Sequence, residues 1–268
     1  MLGKLIKYEF RATRKMLLLY GLLLILAAVM AVIFRFGLVP DIISNEPENP
    51  LGFVWFAEFI VSAAYSFMNA FIFAAVLFSS INRFRLNLLG NQGYLMHTLP
   101  VKSGQHILAK NIVSLSWTII SVIALLISYM IVGIGFLKTD FLSEFGQLFV
   151  DSYSQSLFTS ARFWLVFAGF IIFGIISVSD LYFRIYASMA AGYSLNNHRA
   201  AASIGAFIAL SIVKSIPHGI LMSYLPDAMN LASIEWKFLI FEIIYSAVWA
   251  LVYYFIAAWF LNKRLNLQ

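Results

Sequence analysis

NRFRLNLLGNQGYLMHTLPVKSGQHILAKN, residues 82–111, is the longest polar interval on the side of the chain where basic residues collect. Long apolar segments flank it on both sides. It carries a short amphipathic run, a Gly-Asn-Gln-Gly turn, a Leu-Pro break and a basic tail, more internal order than a plain connector needs. Reading outward from it decides the fold: the flanking runs are membrane spans, and the polar stretch is a cytosolic element between the second and the third.

Composition agrees. Hydrophobic residues make up 62% of the chain and charged residues 11%, far from the even apolar share and quarter charged share of soluble domains. The mean hydropathy is +0.88. The net charge of +6 sits beside apolar segments, which fits membrane topology and not nucleic-acid binding. No cysteine is present, so a disulfide framework, a thiolate metal site and a thiol nucleophile are excluded.

Residues 1–15 form an amphipathic segment. Leu2, Leu5, Ile6, Phe10 and Thr13 follow helical spacing, and Lys4, Lys7, Arg11, Arg14 and Lys15 take the opposite face. Such a helix lies flat on an anionic leaflet, each basic residue contributing about 1 kcal/mol near the surface. The first span follows over 16–34 and reads as an uncleaved anchor, because Arg35, Phe36 and Pro40 stand where a small-residue cleavage site would. Further spans are expected at 51–81, 107–137, 162–195, from 200 onward, and 237–261. The segment 214–236, interrupted by Pro217, Gly219 and Pro226, is expected to be an outer re-entrant or interfacial hairpin between spans five and six.

Counting charges orients the chain. One side holds Lys4, Lys7, Arg11, Arg14, Lys15, Arg83, Arg85, Lys102, Lys110, Arg199, Lys263 and Arg264 against the single acid Glu9. The other holds Arg35, Lys138, Arg162 and Lys237 against Asp41, Glu46, Glu48, Asp140, Glu144, Asp151, Asp227 and Glu235. The positive-inside rule then puts both termini in the cytosol of a multi-pass cell-membrane protein. The fold class is all-α and polytopic, with six transmembrane helices in a single transmembrane domain spanning 1–268.

Met1-Leu-Gly-Lys-Leu-Ile-Lys-Tyr-Glu-Phe10, Asn87-Leu-Leu-Gly-Asn-Gln-Gly-Tyr-Leu-Met-His-Thr-Leu-Pro100, Ile107-Leu-Ala-Lys110 and Leu265-Asn-Leu267 resemble the corresponding parts of type 2 ABC transporter permeases, the membrane subunits of bacterial ATP-driven exporters. The resemblance implies that residues 82–106 contain a coupling helix seated in a separate ATPase subunit. That subunit would bind ATP and Mg, with none in this chain, and a second permease, identical or homologous, would complete the assembly. The family often carries an acid where this chain has Gln92, a departure that bears on any salt bridge to the ATPase.

The residues themselves fit docking. Leu86, Leu88 and Leu89 offer an apolar knob beside Arg83 and Arg85, and Gly90 and Gly93 allow a tight helix end around Gln92. Tyr94, Leu95 and Met96 can pack into a partner, and Pro100 stops the segment before Lys102. The alternative is an ordered loop packed on its own spans.

Catalytic signatures are missing from the sequence. There is no Gly-x-x-x-x-Gly-Lys-Ser/Thr run and no His-Glu-x-x-His. His97, His106, His198 and His218 lack metal-ligand spacing and read as interfacial residues. The chain is therefore expected not to be an enzyme by itself. Five charges fall inside spans: Glu58, Asp180, Arg184, Lys214 and Glu242. Such groups are costly in lipid and mark either function or structural pairing. Asp180 and Arg184, four apart, are expected to pair with each other near the cytosolic end of span four. Glu58, Lys214 and Glu242 are expected as an outer-leaflet polar cluster, or as structural ion pairs. The small residues Ala187, Ser188, Ala190, Ala191 and Gly192 invite a close helix, either within the subunit or across a dimer.

The expected function is export of an unidentified substrate, with peptides, lipids and drugs open. The alternatives are an ion-gradient-driven secondary transporter, which would place buried acids at the membrane midplane, and a non-transporting scaffold or immunity subunit. Membrane lipid is an expected partner and nucleic acid is not.

Overall fold

A computed structural model describes residues 2–35, 52–90, 101–136, 147, 161–195, 198–224 and 236–263. The described residues form seven α-helices and no strand: α1 Leu2–Thr13, α2 Met16–Arg35, α3 Gly52–Phe84, α4 Ser103–Phe136, α5 Ala161–Gly192, α6 Arg199–Ser223 and α7 Trp236–Lys263. A single π-turn, Arg85–Leu89, prolongs α3. Helices α2 to α7 are long and apolar enough to cross a membrane. At about 1.5 Å per residue the 34 residues of α4 reach well past a hydrocarbon core of about 30 Å.

The distribution of side chains is that of a protein in lipid. Leu18, Phe59, Phe67, Phe78 and Leu165 are exposed, whereas Ser121, Ser128, Ser188 and Asp180 are buried. Apolar groups turn outward where the solvent is acyl chain, and polar groups turn inward to find partners.

The chain divides into two compact units: Met1–Arg11 with Phe78–Leu115 and Ser160–Gln268, and Ala12–Leu77 with Ser116–Thr159. In the second of these, Trp117 is the centre of packing. Its indole Nε1 donates to Thr13 Oγ1 at 2.7 Å, its ring stacks on Tyr20 at 6.0 Å, and its carbonyl accepts from Ser121 Oγ at 2.8 Å. Tyr65 OH and Ser128 Oγ, 2.7 Å apart, join α3 to α4.

In the first unit α5 packs on both α6 and α7. Gly192 explains how α6 comes so close. A Cβ there would press into the backbone N and Cα of Ser203, so only hydrogen fits between the two helices. The small-residue run ending at Gly192 therefore serves a contact within the subunit. At the other end of the same helix run, Tyr186 stacks on Phe84 at 4.3 Å and shares a hydrogen bond of 3.0 Å with Ser114.

Two expectations change. Residues 214–223 do not open a re-entrant hairpin; they continue α6 without a break, with Pro217 inside the helix. Pro217 removes one backbone N–H and crowds the preceding turn. One residue beyond the carbonyl that Pro217 leaves without its helical donor, the Tyr245 hydroxyl donates to the Lys214 carbonyl and ties α7 to this turn. Residues 225–235 of the expected hairpin lie outside the described residues. The amphipathic helix ends at Thr13, two residues early, because Arg14 and Lys15 form the turn into α2.

Candidate functional site

Two charge clusters stand out, both within the first unit. The first is built on Glu9. The spacing of α1 places Glu9 on the same face as Leu5, Ile6 and Thr13, and it is buried while Lys4, Lys7, Arg11, Arg14 and Lys15 are exposed. One Glu9 oxygen accepts from Arg83 Nε at 2.8 Å. The other accepts from Lys110 Nζ at 2.7 Å and from Asn87 Nδ2 at 3.3 Å. Lys110 also reaches the Arg83 carbonyl at 3.4 Å. Burial pushes the Glu9 carboxyl up, but Lys110 and then Arg83 outweigh it and hold its pKa below the ordinary value. The acid thus stays charged and ties α1 to the end of α3 and the start of α4.

The second cluster lies among α5, α6 and α7. Lys214 Nζ donates to Asp180 Oδ2 at 2.6 Å, and the Asp180 side chain is only 3% exposed. Its other oxygen, Oδ1, has no hydrogen-bond partner. Arg184 Nη1 reaches Ser211 Oγ at 3.4 Å and its guanidinium lies 5.2 Å from the Phe207 ring, while its Nε is likewise without a partner. About one helical turn further along α6, His218 Nε2 is 2.7 Å from Glu242 Oε1. The Tyr253 hydroxyl donates to the Leu210 carbonyl at 2.9 Å.

These contacts redraw the expected pairs. Asp180 pairs with Lys214 on the neighbouring helix and not with Arg184 on its own, since the close α5–α6 crossing brings a long lysine within reach. Lys214 is accordingly not the partner of Glu242, which holds His218 instead. Asp180 lies twelve residues before the end of α5, about 18 Å along the axis, and Lys214 fifteen residues into α6, about 22 Å. Both therefore lie well inside their helices, on the same stretch of the α5–α6 packing. Glu58 is on α3, and its side chain lies outside what is described. His218 lies in α6, five residues before its end, with its ring on Glu242.

The expected docking stretch is described only at its edges. Leu88 and Leu89 are 0% and 5% exposed, so they are core and not a knob; Leu86, 48% exposed, is free to meet a partner. Arg83 is committed to Glu9. Arg85 and Lys102 are exposed, with Arg85 Nη2 on Asn82 Oδ1 at 3.0 Å. Gly90 has an extended backbone and ends the π-turn; a Cβ there would crowd the Leu86 and Arg85 carbonyls at 3.2 and 3.3 Å. Gln92, Gly93, Tyr94, Leu95, Met96 and Pro100 lie outside the described residues.

Glu9, Asn87 and Lys110 were not singled out by sequence reasoning as one site, although a signal existed. Glu9 is the sole acid among twelve bases on its side, and it interrupts the apolar face of α1. His218, Tyr245 and Tyr253 carry no such signal. Among the described residues, no group of three or more His, Cys, Asp or Glu side chains could hold a metal ion. No protein-family model, curated protein or solved structure matches the chain.

Proposed function

We propose that the chain is the membrane subunit of an ATP-driven exporter. In this reading a separate ATPase, which binds ATP and Mg, docks on the segment between α3 and α4, and a second permease completes the pathway. The chain itself performs no catalysis. The observation that carries the reading is the Glu9 clamp. Arg83 and Asn87 precede the segment at 91–100 and Lys110 follows it, and all three converge on one carboxylate of α1. Charge-assisted bonds on a buried acid make a stiff frame. Force applied to the intervening segment by a motor is then passed to α1, α3 and α4 together and not absorbed by a floppy loop.

Co-purification tests it. The tagged full-length chain, isolated from its native host in mild detergent, retains an ATPase subunit in this reading. Leu86→Asp/Tyr94→Asp, which spares the buried Leu88 and Leu89, releases it. A chain that elutes without any ATPase although its chromosomal neighbours are expressed overturns the reading.

One observation favours a second reading, ion-gradient-driven transport: Asp180, buried well inside α5, has a carboxylate oxygen without a partner. Acids so placed are the working groups of secondary transporters. Uptake or efflux driven by an imposed proton or sodium gradient, abolished by Asp180→Asn, is the result that reading requires.

A further inference from the structure

A groove of about 360 Å³ opens between the end of α3, the end of α5 and the start of α6. Its walls are Ile81, Ile185, Met189, Ile204 and Phe207, with Ala200 on one side. Ser188 and Ser203 also line it, but their hydroxyls are spent on the Ile185 and Arg199 carbonyls of their own helices. The interior is therefore apolar in effect. Charge enters only at the rim. Arg85 lines the groove, and Arg199 precedes Ala200 with its guanidinium 6.0 Å from the ring of Tyr193, another wall residue. Neither arginine has a carboxylate partner among the described residues.

We propose that this groove binds an anionic phospholipid of the leaflet on the N-terminal side, with an acyl chain between α3, α5 and α6 and the phosphate held by Arg85 and Arg199. Three features favour that occupant. The groove sits at the ends of the spanning helices, where headgroups lie, and the aromatic Tyr193 is typical of that depth. Guanidinium forks suit phosphate oxygens, and a phosphate without a choline ammonium of its own takes both arginines as its counter-charge. A basic rim over an apolar slot between spans is the general form of an anionic-lipid site. The proposal stands independently of the exporter reading, and it gives Arg85 a role other than docking.

Native mass spectrometry of the delipidated full chain, titrated with dioleoylphosphatidylglycerol or dioleoylphosphatidylcholine, tests it. Wild type retains the anionic phosphatidylglycerol about tenfold better than phosphatidylcholine. Arg85→Gln/Arg199→Gln loses that preference while binding phosphatidylcholine as before. Ala200→Trp, which fills the groove and keeps both arginines, lowers retention of both lipids and so tests the site even where the double variant fails to fold. Lys4→Gln/Lys7→Gln, on the exposed face of α1, leaves the preference intact. Equal retention of the two lipids by wild type overturns the proposal. So does a preference that survives the arginine substitutions and the tryptophan, or one that the α1 substitutions abolish, which would mark diffuse attraction to a basic surface.

Discussion

Lys214 and Asp180, 34 residues apart in sequence, meet at 2.6 Å between α5 and α6, where the Asp180 side chain is almost wholly buried. Removing one partner of such a pair leaves a buried charge and costs about 3–5 kcal/mol, whereas removing both is far milder. Lys214→Met and Asp180→Asn are each expected to lower thermal stability in detergent sharply. The double variant is expected to recover at least half of the loss. Strictly additive losses would contradict the pairing.

The same turn of α6 depends on Tyr245, whose hydroxyl serves the Lys214 carbonyl beside Pro217. Tyr245→Phe is expected to destabilise the protein by about 1 kcal/mol, the net contribution of one hydrogen bond between helices. Amide hydrogen exchange around 212–220 is expected to speed up, while exchange in α4 stays unchanged. Uniform acceleration would argue that the hydroxyl is incidental.

Gly192 is expected to be intolerant of any side chain. Gly192→Ala forces the added carbon against the Ser203 backbone, so α5 and α6 must separate at a cost of about 1–3 kcal/mol. A melting temperature equal to that of wild type would contradict the close crossing.

The clamp on Glu9 has a defined pH dependence. Its carboxyl titrates below its ordinary value of 4.5 in the folded chain. A depressed folded pKa contributes stability that is fully present above the unfolded value and is lost as pH falls through the folded one. Protection of α1 from proteolysis is therefore expected to be constant from neutral pH to about 5 and to fall in more acid solution. Glu9→Gln is expected to expose α1 already at pH 7 and to flatten the profile. Unchanged protection in Glu9→Gln would contradict the clamp.

The six long apolar helices were legible because each is a run that water rejects. The amphipathic α1 was legible because its basic and apolar residues alternate at helical spacing. The charge pairs were not. The four-residue spacing of Asp180 and Arg184 reports only that they share a helix face. That α6 runs close enough for Lys214 to intervene depends on the Gly192–Ser203 contact, which no local pattern reveals. Pro217 and Gly219 signalled a break, as they do in water, but α6 runs through both to Ser223. Leu88 and Leu89 looked like an exposed knob because their run follows the span. The π-turn instead carries both into the interior, leaving Leu86 outside.

The most direct test of the central claim is ATP hydrolysis by the assembly that the tagged chain brings out of the membrane. Purified in mild detergent and reconstituted into vesicles, the wild-type chain is predicted to carry a Mg-dependent ATPase activity that co-elutes with it. Leu86→Asp/Tyr94→Asp is predicted to lose that activity while remaining folded. A folded, intact wild-type chain that carries no ATP hydrolysis, from a host expressing its natural neighbours, would contradict the exporter account.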